Sequence, residues 1–396
     1  MIHWLRQIFA ILSFSLRTLP QRKGSIASAL FGIIGVVAVL VGVLSIGQGF
    51  RRTMEVAASP DVVLVMRSGA DTEMMSGLQR EETRVIASTE GIVQDEAGPL
   101  ASSELFVVIN LPKRSTGTDA NVPLRGVERA AYKVRDNFEI LEGRPFEPGR
   151  DEIIVGRGAA LEFAGLDLGN EVQVGQNRWK VVGIFADDGS ISESEIWTDA
   201  SLLQSAYRRG DYYQSVYLKL RDPAEFTAFK DRLLNDPRLQ VRVLRQGEYY
   251  AEQSVLLYNM ITGLGTLIAL MMAVGAVFGA LNTMYTAVAS RSREIATLRA
   301  LGFTNSPVLI SVLTESVILA LVGGAVGGLL AFAAFDGFRA ATMNWSSFSQ
   351  VTFAFEVTPD LLVKGVFYAT AIGLVGGLFP AVRAVRQPVA DALREA

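Results

Sequence analysis

One glutamate, Glu315, stands alone in a long uncharged run, about two helical turns past Pro307. An acid in such a run is a functional candidate by default, because a charge in hydrocarbon is costly unless it is paired or faces a polar space. Two roles stay open for it: a structural hydrogen bond near the inner interface, or a part in coupling. A second acidic group lies far upstream, in Asp187, Asp188 and the string Glu193–Trp197 (ESEIW). Neighbouring carboxylates can hold a metal or do acid–base work. Acids in a solvent loop are far more often solvating residues, and that is the reading taken. Other bond-making chemistry has few tools. The chain has no cysteine and one histidine, His3. Disulfides, zinc thiolate sites and cysteine nucleophiles are excluded, and no Ser-His triad or His-rich metal site can be built. No GxxxxGK[ST] string occurs, so this sequence carries no P-loop.

Upstream of Glu315 lies a charged segment, Ser290–Leu301 (SRSREIATLRAL). Its residues are mostly good helix formers. Arg291 and Glu294 are spaced i,i+3 and can pair on one face. Ile295, Leu298 and Leu301 are spaced to make an apolar strip. Gly302 stands where a helix-ending glycine belongs. Ser306 can cap the next helix, and Pro307 suits its first turn, where a missing N–H costs nothing. The spacing predicts a short helix, a tight turn and a new helix. Arg291, Arg293 and Arg299 between two apolar runs put this loop in the cytoplasm.

The elements that position these residues are membrane spans. Half of the 396 residues are hydrophobic, and the net charge is only −3. That excludes a purely soluble chain and gives no reason to expect nucleic acid. Residues 1–23 carry Trp4, Leu5, Ile8, Phe9, Leu12, Leu16 and Leu19 at helical spacing. Arg17, Arg22 and Lys23 are wrong for a signal-peptide cleavage region, so an amphipathic helix on the cytoplasmic membrane surface is expected. Residues 24–49 form the first span, preceded by arginines that set the inside. Residues 254–290 form the second. Ser254–Ser290 is uncharged for about 55 Å at 1.5 Å per residue, well beyond a core of about 30 Å, so it is expected to leave the membrane as a stalk. Gly275 and Gly279 on it suit close helix contact. Residues 291–305 are the charged loop and 306–335 the third span. Gly323, Gly324, Gly327 and Gly328 give that span small-xxx-small spacing twice over. An outer loop, 336–360, holds a short strand in which Val351, Phe353, Phe355 and Val357 alternate with polar or small residues. Residues 361–382 form the fourth span and 383–396 a cytoplasmic tail.

Residues 50–253 are ordinary soluble sequence and, given the topology, extracytoplasmic. Val62–Met66, Glu104–Leu111 and Glu152–Val155 read as strands, and Lys113–Asn121 as a polar loop. In Trp179–Phe185 the spacing puts Trp179, Val181 and Phe185 on one face. The expected fold class is an α-helical membrane protein with four transmembrane helices and a large α+β extracytoplasmic domain between helices 1 and 2.

The strings Arg293-Glu294-Ile295, Leu298-Arg299-Ala300-Leu301-Gly302, Glu315-Ser316 and Gly323-Gly324 with Gly327-Gly328 resemble the FtsX-like permease family, in its MacB-type branch of ABC transporters. The four-span layout is similar too. The resemblance implies a bacterial inner-membrane permease with both termini cytoplasmic. It makes Arg293, Glu294, Ile295, Leu298, Arg299 and Gly302 a coupling helix that docks on a separate ATPase subunit, which holds the ATP and Mg. It implies two permease copies, identical or paralogous, with two ATPases, and leaves room for a periplasmic membrane-fusion protein. It implies mechanotransmission: ATP-driven closure inside becomes rearrangement of the outer domain, for export. The outer domain is expected as a porter-like α/β part, residues 50–125 and 211–253, with a β-rich insertion over 126–210. Within the same family, regulation of a cell-wall hydrolase and lipoprotein extraction are the alternatives. A secondary transporter is disfavoured, since no repeat halves or midplane charge cluster occur.

Overall fold

The computed structural model describes residues 23–56, 59–174, 177–301, 304–345 and 347–388. The interfacial helix expected over 1–23 lies outside them but for its last residue, as does the tail past 388. The described residues form two compact units. One draws on the described residues within Met1–Gln48, Asn259–Phe338 and Phe355–Ala396, the other on those within Gly49–Tyr258 and Arg339–Ala354.

The first unit is helical. Its elements are α1 (Lys23–Glu55) and α2 (Gln246–Ala289), whose residues from Gly49 on and up to Tyr258 belong to the other unit, with α3 (Ser292–Ala300), α4 (Asn305–Phe335) and α5 (Pro359–Arg386). All but α3 are long and apolar enough to cross a membrane. Two helix ends differ from the sequence reading. Charges at Arg51, Arg52 and Glu55 end the apolar run of α1 but not the helix, and an Arg51–Glu55 pair at 2.7 Å supports its last turn. Similarly α2 starts eight residues before Ser254, at Gln246. Glu248 and Glu252 mark where its apolar run stops, not where its helix does. The N-cap of α4 is Thr304, without a side-chain bond, so Ser306 is a residue of the first turn and not the cap. For α5, Thr358 Oγ1 accepts from Leu361 N, with Pro359 in the first turn.

Glycine sets how closely these helices approach. On α4, a Cβ at Gly323 would stand 2.9 Å from Ile33 Cγ2, and one at Gly327 2.7 Å from the Ile34 carbonyl oxygen, both on α1. The next two glycines face α5: a Cβ at Gly324 would be 2.8 Å from Ala369 Cβ, and one at Gly328 3.2 Å from Leu362 Cδ2. The paired spacing thus serves two neighbours. On α2 the expectation needs correction. A Cβ at Gly275 or Gly279 meets nothing within 4 Å among the described residues, so neither packs a described helix of this chain. The contact lies at Gly265, where a Cβ would come within 2.4 Å of Val43 on α1. Gly327→Leu should therefore cost about 3 kcal/mol by overpacking. Gly279→Leu should leave a single chain unaffected. Thermal unfolding of the two purified variants checks this, and equal losses would contradict it.

The second unit is built on a mixed ten-stranded sheet. In chain order its strands are β1 (Val62–Arg67), β2 (Ala101–Pro112), β3 (Asp119–Val127), β4 (Phe138–Gly143), β5 (Glu152–Gly156), β6 (Glu171–Val174), β7 (Asn177–Asp187), β8 (Ile196–Asp199), β9 (Ser215–Lys219) and β10 (Val241–Arg245). Their order is β10-β1-β9-β2-β3-β8-β5-β7-β4, with β6 added to β7. The pairs β3–β8 and β5–β7 are parallel; the others are antiparallel. A two-stranded ribbon, β11 (Arg339–Asn344) and β12 (Ser349–Ala354), completes this unit. Val351 and Phe353 are the buried residues of the expected strand, which ends before Phe355.

Buried clusters cover the sheet, two of them large. Val63, Val65, Val216, Leu218, Val241 and Val243 close over Phe229 and Leu233 of the helix Phe226–Leu234. Leu105, Val107, Leu124, Ile153, Val155 and Trp179 make the other. Ala101 belongs to the first and Leu105 to the second. The change of core therefore falls inside β2. Phe185 also departs from the sequence reading. A register shift between Val181 and Gly183 turns the strand over, because side chains alternate with period two. Trp179 and Val181 remain in the second core, while Phe185 packs with Trp197 on the other face.

Candidate functional site

In the helical unit the chemistry-bearing residues gather at α3. Ser290 Oγ donates to the Ala287 carbonyl as α2 ends. Arg291 then takes the N-cap position of α3 with φ −114°. Ile295 and Ala296 are buried, and Ile295 packs with Met284, Val288, Val308, Val312, Ala381 and Ala384. This seats α3 against α2, α4 and α5. Ile295 is thus a core residue and not part of a docking face, and the expected strip with Leu301 does not form. Leu301 is 73% exposed. Arg293, Glu294 and Thr297 are exposed with it. Leu298 is a helical position, but its side chain, like Gly302, lies outside the described residues.

The ion pair expected within α3, Arg291 with Glu294, is made across helices instead. Arg291 Nη1 donates to Glu315 Oε2 at 3.2 Å, with both side chains nearly fully buried. Low dielectric strengthens the attraction. Glu315 therefore ties the N-cap of α3 to α4. Next to it, Ser316 Oγ donates to the Gly373 carbonyl of α5 at 2.6 Å, and a Cβ at Gly377 would stand 2.6 Å from Ser316 Cβ. At the far end of α3, Arg299 Nη1 donates to the carbonyl of Gln387, the C-cap of α5, at 2.6 Å. The short helix is fastened at both ends.

The soluble unit holds a second constellation, which sequence reasoning missed. Arg125 on β3 is 1% exposed and lies among three carboxylates. Its Nε and Nη2 donate to Glu195, each at 2.8 Å. Nη1 donates to Glu73 Oε1 at 2.8 Å and to Glu104 Oε2 at 3.0 Å. Arg135 grips Glu104 with both terminal nitrogens, at 2.9 and 3.0 Å. Trp197 Nε1 donates to Glu195, and Ser215 Oγ to Glu73. The two guanidiniums also lie over aromatic rings, Arg125 over Phe106 and Arg135 over Trp197. Burial pushes the Glu73 carboxyl up, but the Arg125 charge and hydrogen bonds outweigh it and hold the group below its usual range. For Arg125 and Arg135 burial opposes the charge, and the carboxylates overcome it and raise both groups. Lone charges inside apolar strands, Glu104 in SSELFVV and Arg125 in VPLRGV, were the available signal.

The acidic string is also corrected. Glu193 and Glu195 are buried, not solvating. Glu193 receives Arg157 Nε and Nη2 at 3.1 Å and the backbone N–H groups of Asp187 and Gly189. Its carboxylate closes its own loop against β5, where a Cβ at Gly156 would stand 2.3 Å from the Glu193 carbonyl oxygen. Each of these acids meets an arginine or a backbone donor, so the arrangement locks segments together. A cavity of about 20 Å³, room for about one water, is lined by Glu73, Arg125, Glu195, Tyr249, Gln350 and Val351. An open cleft of about 960 Å³ lies elsewhere, lined by Arg80, Arg84, Glu128, Tyr132, Lys133 and Phe146. Burial raises the Glu128 carboxyl there.

Comparison with known proteins places these two units in sequence families. Residues 27–235 match the profile of the MacB-like periplasmic core domain, and residues 266–389 that of the FtsX-like permease C-terminal region. A macrolide export ATP-binding/permease protein MacB from Bdellovibrio bacteriovorus is 23% identical over 423 residues, covering 98% of this chain and 62% of that protein. Its counterpart from Escherichia coli is 24% identical over 400 residues, covering 95% and 59%. A Bacillus subtilis protein named as an uncharacterized ABC transporter permease, YknZ, is 24% identical over 402 residues, covering 95% and 96%. The chain therefore spans 62% and 59% of the length of the two export proteins.

Proposed function

This chain belongs to the family of ABC transporter permeases that join a MacB-like periplasmic core domain to an FtsX-like C-terminal region, and we propose on that premise that it couples ATP hydrolysis by a partner ATPase to rearrangement of its extracytoplasmic domain, for export. The observation that carries the proposal is the fastening of α3. A helix that receives force from a partner needs an exposed face and a rigid seat. Arg293, Glu294, Thr297 and Leu301 supply the face. Ile295 in the helix core, Arg291 on Glu315 and Arg299 on Gln387 supply the seat.

In this reading ATP and Mg are held by the ATPase, and no residue of this chain does bond-making chemistry. The working unit has two permease copies and two ATPases in the inner membrane. A membrane-fusion protein completes the export path where one is present. Both termini and α3 face the cytoplasm, and the sheet unit faces outward. The cleft beside Glu128 is of the size that takes a small molecule.

Topology is tested by labelling, since the chain has no cysteine of its own. A cysteine at Asn177 should react with an impermeant maleimide from the outer face of the inner membrane. Reaction only after the membrane is opened from the cytoplasmic side would contradict the orientation. The coupling itself is tested by co-expressing the chain with an ABC ATPase and measuring co-purification and stimulated ATP hydrolysis.

A further inference from the structure

The ribbon β11–β12 joins α4 to α5 by chain continuity, yet it folds with the soluble unit and not with the helices it connects. We propose that this ribbon is a second transmission element: a handle by which α4 and α5 hold the soluble unit, in addition to the connections through α1 and α2. The proposal rests on the permease reading above and adds to it where force enters the domain.

The ribbon's ladder runs from Arg339 opposite Ala354 to Asn344 opposite Ser349. At the base, Phe355 N donates to the Phe338 carbonyl and Gly337 N to the Phe355 carbonyl. Asp336, the C-cap of α4, accepts from Val357 N at 3.0 Å, one residue before the N-cap of α5. Backbone pairing therefore runs along the segment from Gly337 and Phe355 to Asn344 and Ser349.

The tip is anchored on several elements of the soluble unit. Thr352 N donates to Ser194 Oγ at 2.9 Å, and Asn121 Nδ2 of β3 to the Phe348 carbonyl at 2.7 Å. Asn344 Nδ2 donates to Gln253 Oε1, on the first turns of α2, at 3.2 Å. Phe353 sets its ring edge-on to Phe50, on the last turns of α1, at 5.6 Å. Val351 and Phe353 are buried, as are Asn344 and Ser349. Phe348 has φ +50°, a left-handed conformation that a non-glycine residue keeps only where its surroundings hold it. Gln350 and Val351 line the small cavity beside Arg125, so the ribbon ends against the buried charge cluster. These contacts gather the ribbon, the roots of α1 and α2, and the Arg125 cluster into one packed region.

The test uses the full chain in nanodiscs with its ATPase, as wild type and with Asn121→Ala, Ser194→Ala and Asn344→Ala combined. Hydrogen exchange should show ribbon amides 349–354 protected in the wild type. In the variant they should exchange about a hundredfold faster, with strands 62–67 and 241–245 unchanged, because three anchoring hydrogen bonds are gone. The ATPase should co-purify as before, while permease-stimulated hydrolysis falls about tenfold. Unprotected ribbon amides in the wild type would overturn the proposal. So would a loosened ribbon with undiminished stimulation, which would leave the permease reading intact. A wild-type chain that stimulates no ATPase would overturn both. Should the combined variant fail to fold, Asn121→Ala alone, at an exposed site, goes through the same measurements with smaller effects of the same sign.

Discussion

Arg125→Met is expected to destabilise the soluble unit by about 3–5 kcal/mol, because removing one side of a buried ion cluster leaves the other side charged and unpaired. Glu195 and Glu73 would lose their guanidinium, and Glu104 would keep only Arg135. Methionine has similar bulk and no charge, so the loss would be electrostatic. The pH dependence gives a sharper sign. In the wild type Glu73 sits below its usual range. Its contribution is therefore present above the unfolded carboxylate value, near pH 4, and is lost as pH falls through the lower folded value. In the variant, burial without Arg125 would push the Glu73 carboxyl above the ordinary range, and its protonation would favour the folded state. The variant should thus gain on the wild type as pH falls from neutral toward about 4. Chemical unfolding of both proteins at neutral and acid pH measures this. A variant with a wild-type midpoint at neutral pH would show that the cluster holds nothing.

The second large effect is expected at Glu315. Arg291→Met or Glu315→Leu alone should each cost about 3–5 kcal/mol by breaking a buried ion pair. The double variant should recover most of that stability, since apolar pairs often replace buried ion pairs at little cost. Function should not recover with it. A geometrically specific tie between α3 and α4 would have become a non-directional contact, so permease-stimulated ATP hydrolysis should stay low. If the double variant regains both stability and stimulation, the pair serves packing alone. Thermal unfolding and hydrolysis rates on the same four proteins separate these outcomes.

The sequence was legible where the information is local. Four apolar runs stand out because charges are missing from them, and α3 stands out because charges and helix formers return between two runs. The glycine pairs of α4 were legible as packing faces from spacing alone. Their division between α1 at Gly323 and Gly327 and α5 at Gly324 and Gly328 was not, because spacing does not name a neighbour. Gly275 and Gly279 have the same spacing and pack no described helix of this chain, for the same reason. The Arg125 cluster was not legible. Its members come from residues 73, 104, 125, 135 and 195, brought together by sheet pairing and not by spacing. Glu315 was singled out as a lone acid, but its partner was assigned to Glu294 by an i,i+3 rule that holds only inside one helix. Arg291 is the cap residue, so its side chain was free to turn toward α4. The bulge near Gly183 leaves no pattern in the sequence, and so Phe185 was placed on the wrong face.

The central claim is that α3 receives force from an ATPase, and Leu301→Asp tests it most directly. Leu301 is 73% exposed, so the substitution leaves the helix core and the Arg291–Glu315 tie in place. A carboxylate in place of an apolar side chain costs a few kcal/mol once a docked partner takes it out of water, and about 3 kcal/mol lost from binding weakens association more than a hundredfold. The measurement is recovery of the ATPase on the tagged permease, together with the hydrolysis rate of the recovered complex. The account predicts a variant that inserts and unfolds like the wild type but loses both ATPase recovery and stimulated hydrolysis. Full recovery and full stimulation by Leu301→Asp would contradict it.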